Sequence, residues 1–147
     1  MVFAMKIIID KEGALPPPLL LAKRYGETKD TVIHALLALE DIVWAATNKG
    51  VGRWNRSTGD YVNVTTAHGL ASNAVSGVCR RNDGALWVST YDNGLCALSR
   101  NGHWTYFTEN DPFDSKRIQA LCHTADDSLW MSTPESVYQL DLRGAWR

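Results

Sequence analysis

At 147 residues the chain is long enough for one domain with a sizeable hydrophobic core, and its 45% hydrophobic content is typical of soluble globular proteins. The net charge is −1 and the Lys and Arg residues are scattered. This argues against a dedicated nucleic-acid or membrane-surface binder, whose affinity rests on a basic patch.

Residues 1–30 are the least regular. Phe3 to Ile9 is rich in β-formers and is predicted as a strand. Lys11-Glu12-Gly13 is a turn, and Pro16-Pro17-Pro18 cannot sit in a central strand because proline lacks the ladder donor. Leu19 to Tyr25 is predicted as an outermost strand, with a short helix as the alternative, because Leu21 lies 43 residues before Val64 and Val64 lies 43 before Phe107. The whole segment is read as an edge strand or a blade-completing arm. Its apolar run is too short for a membrane span, and it lacks a basic leader and a small-residue cleavage site.

From Thr31 one phrase recurs three times. It reads Val43-Trp44-Ala45-Ala46-Thr47, Leu86-Trp87-Val88-Ser89-Thr90 and Leu129-Trp130-Met131-Ser132-Thr133, with the tryptophans 43 residues apart. A fixed period of this length marks a repeat architecture. Three units follow, over residues 31–70, 71–113 and 114–147. The first strand of each contains Val32, Val75 and Ile118, then Ala35, Val78 and Leu121, then Leu36, Cys79 and Cys122, each set 43 apart. It is apolar on both faces, as an innermost propeller strand packed between neighbouring blades must be. Turns rich in Asn, Asp and Gly lead to the Trp phrase, the second strand. The third strands run Val51 to Trp54, Leu95 to Leu98 and Val137 to Leu140, and the fourth begin at Tyr61, Trp104 and Trp146. Four short strands per 43-residue unit predict an all-β fold of four-stranded antiparallel propeller blades. In that fold Trp44, Trp87 and Trp130 are structural core residues that wedge between adjacent blades.

The three cysteines, Cys79, Cys96 and Cys122, read as reduced and buried small hydrophobes. With the absence of a leader, this gives a cytoplasmic protein as the expectation.

The second unit carries His68-Gly69-Leu70-Ala71-Ser72-Asn73-Ala74-Val75, then Asn82-Asp83-Gly84-Ala85-Leu86-Trp87-Val88-Ser89-Thr90, then Asn93-Gly94-Leu95. This resembles the two-component regulator propeller repeat, whose pattern runs D-G-L-P-S-N-x-V, then D-x-x-G-x-L-W-I-G-T, then x-G-L. The third unit keeps Phe113, Ser115, Ile118, Leu129-Trp130 and Thr133 but loses the glycine before its third strand. The first keeps Val32, Trp44, Thr47 and Gly50. The resemblance implies a propeller of the kind found in sensor regions of hybrid histidine kinases, with a part in ligand sensing and dimerisation. The matched motif is a packing motif and brings no functional residues with it.

Propellers have about 4–8 blades, and three periods use most of the chain. Bare apolar faces and strand edges invite pairing with another chain. The expectation is a ring closed by oligomerisation, a six-bladed homodimer in which the N-terminal strand of one protomer completes the last blade of the other.

Candidate chemistry is sparse. None of His34, His68, His103 and His123 stands at metal-ligand spacing, and no nucleophile elbow, phosphate loop or dinucleotide fingerprint is present. No metal, no cofactor and no catalytic residues are expected. His34 lies 43 residues before Gly77 and 86 before Ala120, so it is large where its counterparts are small and could reach into the central channel. Propellers bind at one channel mouth, formed by the loops entering the first strand and those joining the second to the third. Those positions give His34, His68, Asn73, Tyr91, Asp92, Lys116, Arg117 and Glu135 as candidate ligand-binding residues. Their mixture of aromatic, amide and charged groups suits a small polar ligand or a peptide.

Three readings follow. The first is a non-catalytic binding, sensing or protein-interaction module. The second is a metal-assisted enzyme resembling streptogramin lyases, in which Glu135 with a histidine would have to serve as base. The third is a structural propeller fragment without a ligand.

Overall fold

A computed structural model describes residues 6–8, 31–107, 113–141 and 143–147. The Lys11 turn, the proline run and the predicted strand over Leu19 to Tyr25 lie outside the described residues.

Each Trp phrase forms the second strand of its own four-strand antiparallel meander, and the three meanders lie in three separate sheets. The first sheet contains β1 (Lys6–Ile8), β2 (Ile33–Leu39), β3 (Ile42–Thr47), β4 (Gly50–Asn55) and β5 (Tyr61–Val64), in that order. The second contains β6 (Val75–Arg80), β7 (Leu86–Thr90), β8 (Leu95–Leu98) and β9 (Trp104–Phe107). The third contains β10 (Ala120–His123), β11 (Leu129–Ser132) and β12 (Val137–Leu140), and a bridge from Leu140 to Trp146 starts its fourth strand. Apart from β1, consecutive strands are neighbours throughout, so each sheet is a meander closed by short hairpins. One 3-10 turn, Thr66–His68, lies between the first two sheets. The architecture is an arc of three β-propeller blades, as the period predicted.

The described part of the N-terminal strand, Lys6–Ile8, pairs in parallel with its own first blade as an edge strand, with Lys6 beside Ala35 and Ile8 beside Leu37. One expectation is corrected: the first inner strand is out of phase with the 43-residue count. Leu37, not Leu36, faces Trp44, whereas Cys79 faces Trp87 and Cys122 faces Trp130. The reason is the tight Glu40-Asp41 hairpin, one residue shorter than its counterparts, with Glu40 at φ 50°.

The repeated phrase has two structural jobs. Its Trp faces the following blade. Trp44 packs on the cluster of Leu37, Val75, Val78 and Leu86, which joins blades one and two. Trp87 is buried with Leu121, Leu129 and Met131 of blade three. It stacks on Phe107 with centroids 5.4 Å apart and meets the edge of Trp146 at 6.4 Å. Trp130 has no following blade among the described residues and is 37% exposed, beside Val137 at 66%. Cys122, on the same face, is half-buried rather than buried as expected, while Cys79 and Cys96 are buried.

The phrase ends in Thr because the strand must turn there. Thr47 Oγ1 donates to the Gly50 carbonyl at 2.8 Å and accepts from Lys49 N–H at 3.0 Å. Thr90 repeats both bonds with Gly94 and Asn93. Thr133 repeats the pattern with Ser136, whose carbonyl is 3.4 Å away. In the first two blades the hairpin also ties forward. Gly50 N–H donates to Asn73 O, and Gly94 N–H to Lys116 O, each at 2.8 Å. Gly50 has φ +110° and its missing Cβ would fall 2.3 Å from Val64 O, so no other residue fits. In the third blade Ser136 stands in the place of these glycines.

A polar clamp joins blades two and three at the opposite hairpins. Asp127 accepts from Asn82 N–H at 2.9 Å, lies 2.6 Å from His123 Nε2 and 3.5 Å from Arg81. The Asn82 hydrogen bond, with His123 and Arg81 behind it, holds the carboxyl below the usual range. Its folded-state pKa is therefore below its unfolded one. The stabilisation is complete above the unfolded value, near pH ~4, and is lost as pH falls through the folded value. Acid titration followed by circular dichroism should show Asp127→Asn less stable than the parent at pH 7. The difference should shrink below about pH 4; a gap that persists in acid would remove the carboxylate from the explanation.

Candidate functional site

The inner strands of the three blades start side by side, and the first two of them bulge at the same place. Between Ile33 and Ala35 the register with β3 shifts by one, leaving His34 unpaired; between Val75 and Gly77 the same shift leaves Ser76 out. In blade three Gln119 N–H donates to Ser132 O at 2.8 Å, although Ser132 faces Ala120, so Gln119 holds the equivalent position. A bulge re-aims the extra side chain and is common beside binding sites. The counterparts of His34 are therefore Ser76 and Gln119, not Gly77 and Ala120 as the 43-residue count gave.

These three residues share one cleft of about 550 Å³, with apolar walls that include Ile33, Ala35 and Leu121, and with Tyr91 at its side. Tyr91 follows β7 directly, and its N–H donates to Ala74 O at 2.9 Å, which sets the ring beside the start of β6. Its hydroxyl lies 3.4 Å from His34 Nδ1, and the rings meet edge to face at 5.0 Å and 72°. Burial lowers the pKa of His34 from its ordinary value, so the imidazole is neutral at pH 7. The sign of the linkage is that a depressed histidine pKa destabilises the fold as pH drops below the unfolded value of ~6.5, because the unfolded chain then binds more protons. Ser76 is buried and shares a 2.8 Å hydrogen bond with Ser89. Gly77 keeps the blades close here, since a Cβ would fall 3.1 Å from the Cβ of Leu121.

Of the eight candidate residues, the structure brings His34 and Tyr91 together in this cleft. The other six lie outside its lining. His68 closes the 3-10 turn by accepting from Thr65 N–H at 3.1 Å through Nδ1, and its carbonyl accepts from Trp104 Nε1 at 3.0 Å. Asn73 accepts from Thr66 N–H at 2.9 Å. Lys116 offers its carbonyl to Gly94, and Arg117 N–H donates to Ser115 Oγ at 3.0 Å. Asp92 and Glu135 are exposed on hairpin loops. Sequence reasoning missed Ser76 and Gln119. The signal that finds them is the pairing register, which the repeat count does not carry. Among the described residues no group of three or more His, Cys, Asp or Glu side chains could hold a metal ion.

Comparison with known proteins follows the same line. Residues 69–92 match the family described as two component regulator propeller. The matched stretch is the heart of blade two, from the loop before β6 to the loop after β7, and it contains Ser76, Tyr91 and the central Trp phrase. No curated protein matches the chain by sequence. Among solved structures, the chain is similar to the extracellular domain of the hybrid two component system BT3049 from B. thetaiotaomicron, at 19% identity and a TM-score of 0.65 over 78% of this chain. It is similar to the extracellular domain of the one component system BT4673 from the same organism, at 18% identity and a TM-score of 0.64 over 76%. A streptogramin B lyase follows at 14% identity and a TM-score of 0.63 over 82%. The chain spans 18% and 17% of the first two structures and 41% of the lyase. At these identities the likeness establishes the propeller fold. No helix among the described residues is long and apolar enough to cross a membrane.

Proposed function

We propose that this propeller segment is a non-catalytic sensing module that binds its ligand in the cleft between the inner strands. The observation that carries the reading is that His34 and Ser76, at in-step bulges, and Gln119, at the equivalent position of blade three, meet in one place beside Tyr91. Each of these side chains can both donate and accept a hydrogen bond, as recognition requires. Likeness to extracellular domains of a hybrid two component system and a one component system supports a sensing role. Thermal shift against pooled peptides and small polar metabolites tests it. A ligand at 100 times its Kd stabilises by about 2.7 kcal/mol. The shift should vanish in Gln119→Ala, whose side chain is exposed and whose loss leaves the fold intact. No shift with any pool, or an unchanged shift in the variant, overturns the assignment of the cleft.

A second observation supports self-association. The face of blade three that carries Trp130 is the one that blades one and two bury, and it holds a shallow hollow of about 150 Å³ next to Cys122 and Val137. A projecting indole beside a hollow on one face suits a two-fold pairing of like surfaces. Light scattering should give about twice the 16.3 kDa chain mass, and Trp130→Glu should return the monomer. A wild-type chain that stays monomeric at high concentration removes this reading.

A further inference from the structure

We propose that a second copy of this chain lies back to back on the Trp130 face of blade three, each indole seated in the other's hollow, and that the pair does not close a six-bladed ring. The proposal rests on the reading of that face as a self-association surface and adds which face the partner copy brings to it.

The face is one of a series of three. Val51, Leu95 and Val137 hold the same place in their blades, opposite Ala46, Ser89 and Ser132. The first two are 1% and 0% exposed, packed in the clusters that join their blades to the next, and Val137 is 66% exposed. Cross-strand pairing puts Val137 on one side of its sheet with Ala120, Cys122, Trp130, Ser132 and Gln139, none of them charged. Two such faces can meet without repulsion, and an apolar patch left bare marks a contact surface.

A second copy could meet Trp130 with its own matching face or with the other face of its blade one. The second contact would repeat what Trp44 and Trp87 do, and two such contacts would close a ring. The faces that receive a Trp carry Leu86 paired with Leu98 in blade two, and Leu129 paired with Leu140 in blade three. In blade one the corresponding pair is Val43 and Trp54. An indole of blade one therefore already packs on that face, against Leu36, Val43 and Ala45, which are 4%, 1% and 1% exposed. It leaves no place for an incoming Trp. The hairpins point the same way. The Gly50 and Gly94 N–H groups reach the following blade. Ser136 N–H instead turns back to Thr133 Oγ1 at 3.0 Å, and its hydroxyl donates to Asp114 at 2.7 Å. The donor that ties a following blade is used within blade three. A two-fold pairing needs only the apolar face, and it sets each projecting indole against the hollow of the partner.

Ring and back-to-back pair have the same mass, and cross-linking separates them. Val137→Cys in a chain that also carries Cys122→Ser leaves one thiol within reach of a short bismaleimide, because Cys79 and Cys96 are buried. Back-to-back pairing brings the two introduced thiols to one interface, so the protein should be captured as a cross-linked dimer. The unsubstituted chain should give the same product through Cys122, and circular dichroism checks that each variant keeps its fold. Adding Trp130→Glu should lower the capture by about tenfold or more. A ring would hold the thiols at two separate contacts. A protein that is dimeric by light scattering but gives no cross-link through either thiol therefore overturns the back-to-back arrangement and leaves self-association standing. Assemblies larger than a dimer overturn it as well. A chain that stays monomeric removes both readings.

Discussion

Trp87→Ala should lower the stability of the fold by about 3–5 kcal/mol, the cost of removing a large aromatic from a packed core. Trp87 is 7% exposed and is shared between two blades. Its removal would empty the contact with Phe107 and Trp146 and leave Leu121, Leu129 and Met131 facing a void. Domains of this kind are stable by only about 5–15 kcal/mol, so the variant should melt at a much lower temperature or fail to fold. Trp130→Ala is the matched control. The same residue in the same phrase, but 37% exposed, should cost no more than about 1 kcal/mol. Urea denaturation followed by circular dichroism compares the two. Equal losses would mean that the phrase acts within its own sheet and not between blades.

Thr90→Val should cost about 1–3 kcal/mol, although it keeps size and shape. Thr90 is fully buried, and its hydroxyl both donates to Gly94 O at 2.8 Å and accepts from Asn93 N–H at 3.0 Å. Valine would leave that carbonyl and that N–H without the hydroxyl, inside the protein. Thr133→Val should cost less, because its hydroxyl sits 3.4 Å from the Ser136 carbonyl. Thermal melts of the two variants check this. A Thr90→Val protein as stable as the parent would show that the threonine is kept for β-propensity alone.

The strands of the blades were legible for a simple reason. Alternation, turn residues and the spacing of the Trp phrase are local properties, and each hairpin is closed by residues a few positions apart. Trp44 and Trp87 pack between blades as expected, whereas Trp130, expected in the core, is 37% exposed. The repeat marks His34 as unusual and the loop position marks Tyr91, yet the 43-residue count pairs His34 with Gly77 and Ala120 instead of Ser76 and Gln119. One residue fewer in the Glu40-Asp41 hairpin shifts β2 by one against β3, so His34 takes the bulge position that Ser76 holds in blade two. This alters which residues are equivalent without altering the spacing of the tryptophans. Loop position alone makes His68 and Asn73 candidate binding residues. In the structure they serve to cap a turn and to tie it to the next strand.

The amino-acid sequence by itself determined the repeat, the four-strand unit and the residues that hold each hairpin, because those depend on backbone chemistry over short distances. Only the tertiary structure decided which copies of the repeat are equivalent in use. Trp87 is core and Trp130 is surface because one has a blade against it and the other, among the described residues, does not. Ser76 and Gln119 stand one repeat apart, but His34 joins them in one cleft only because the shorter first hairpin moves it into their register.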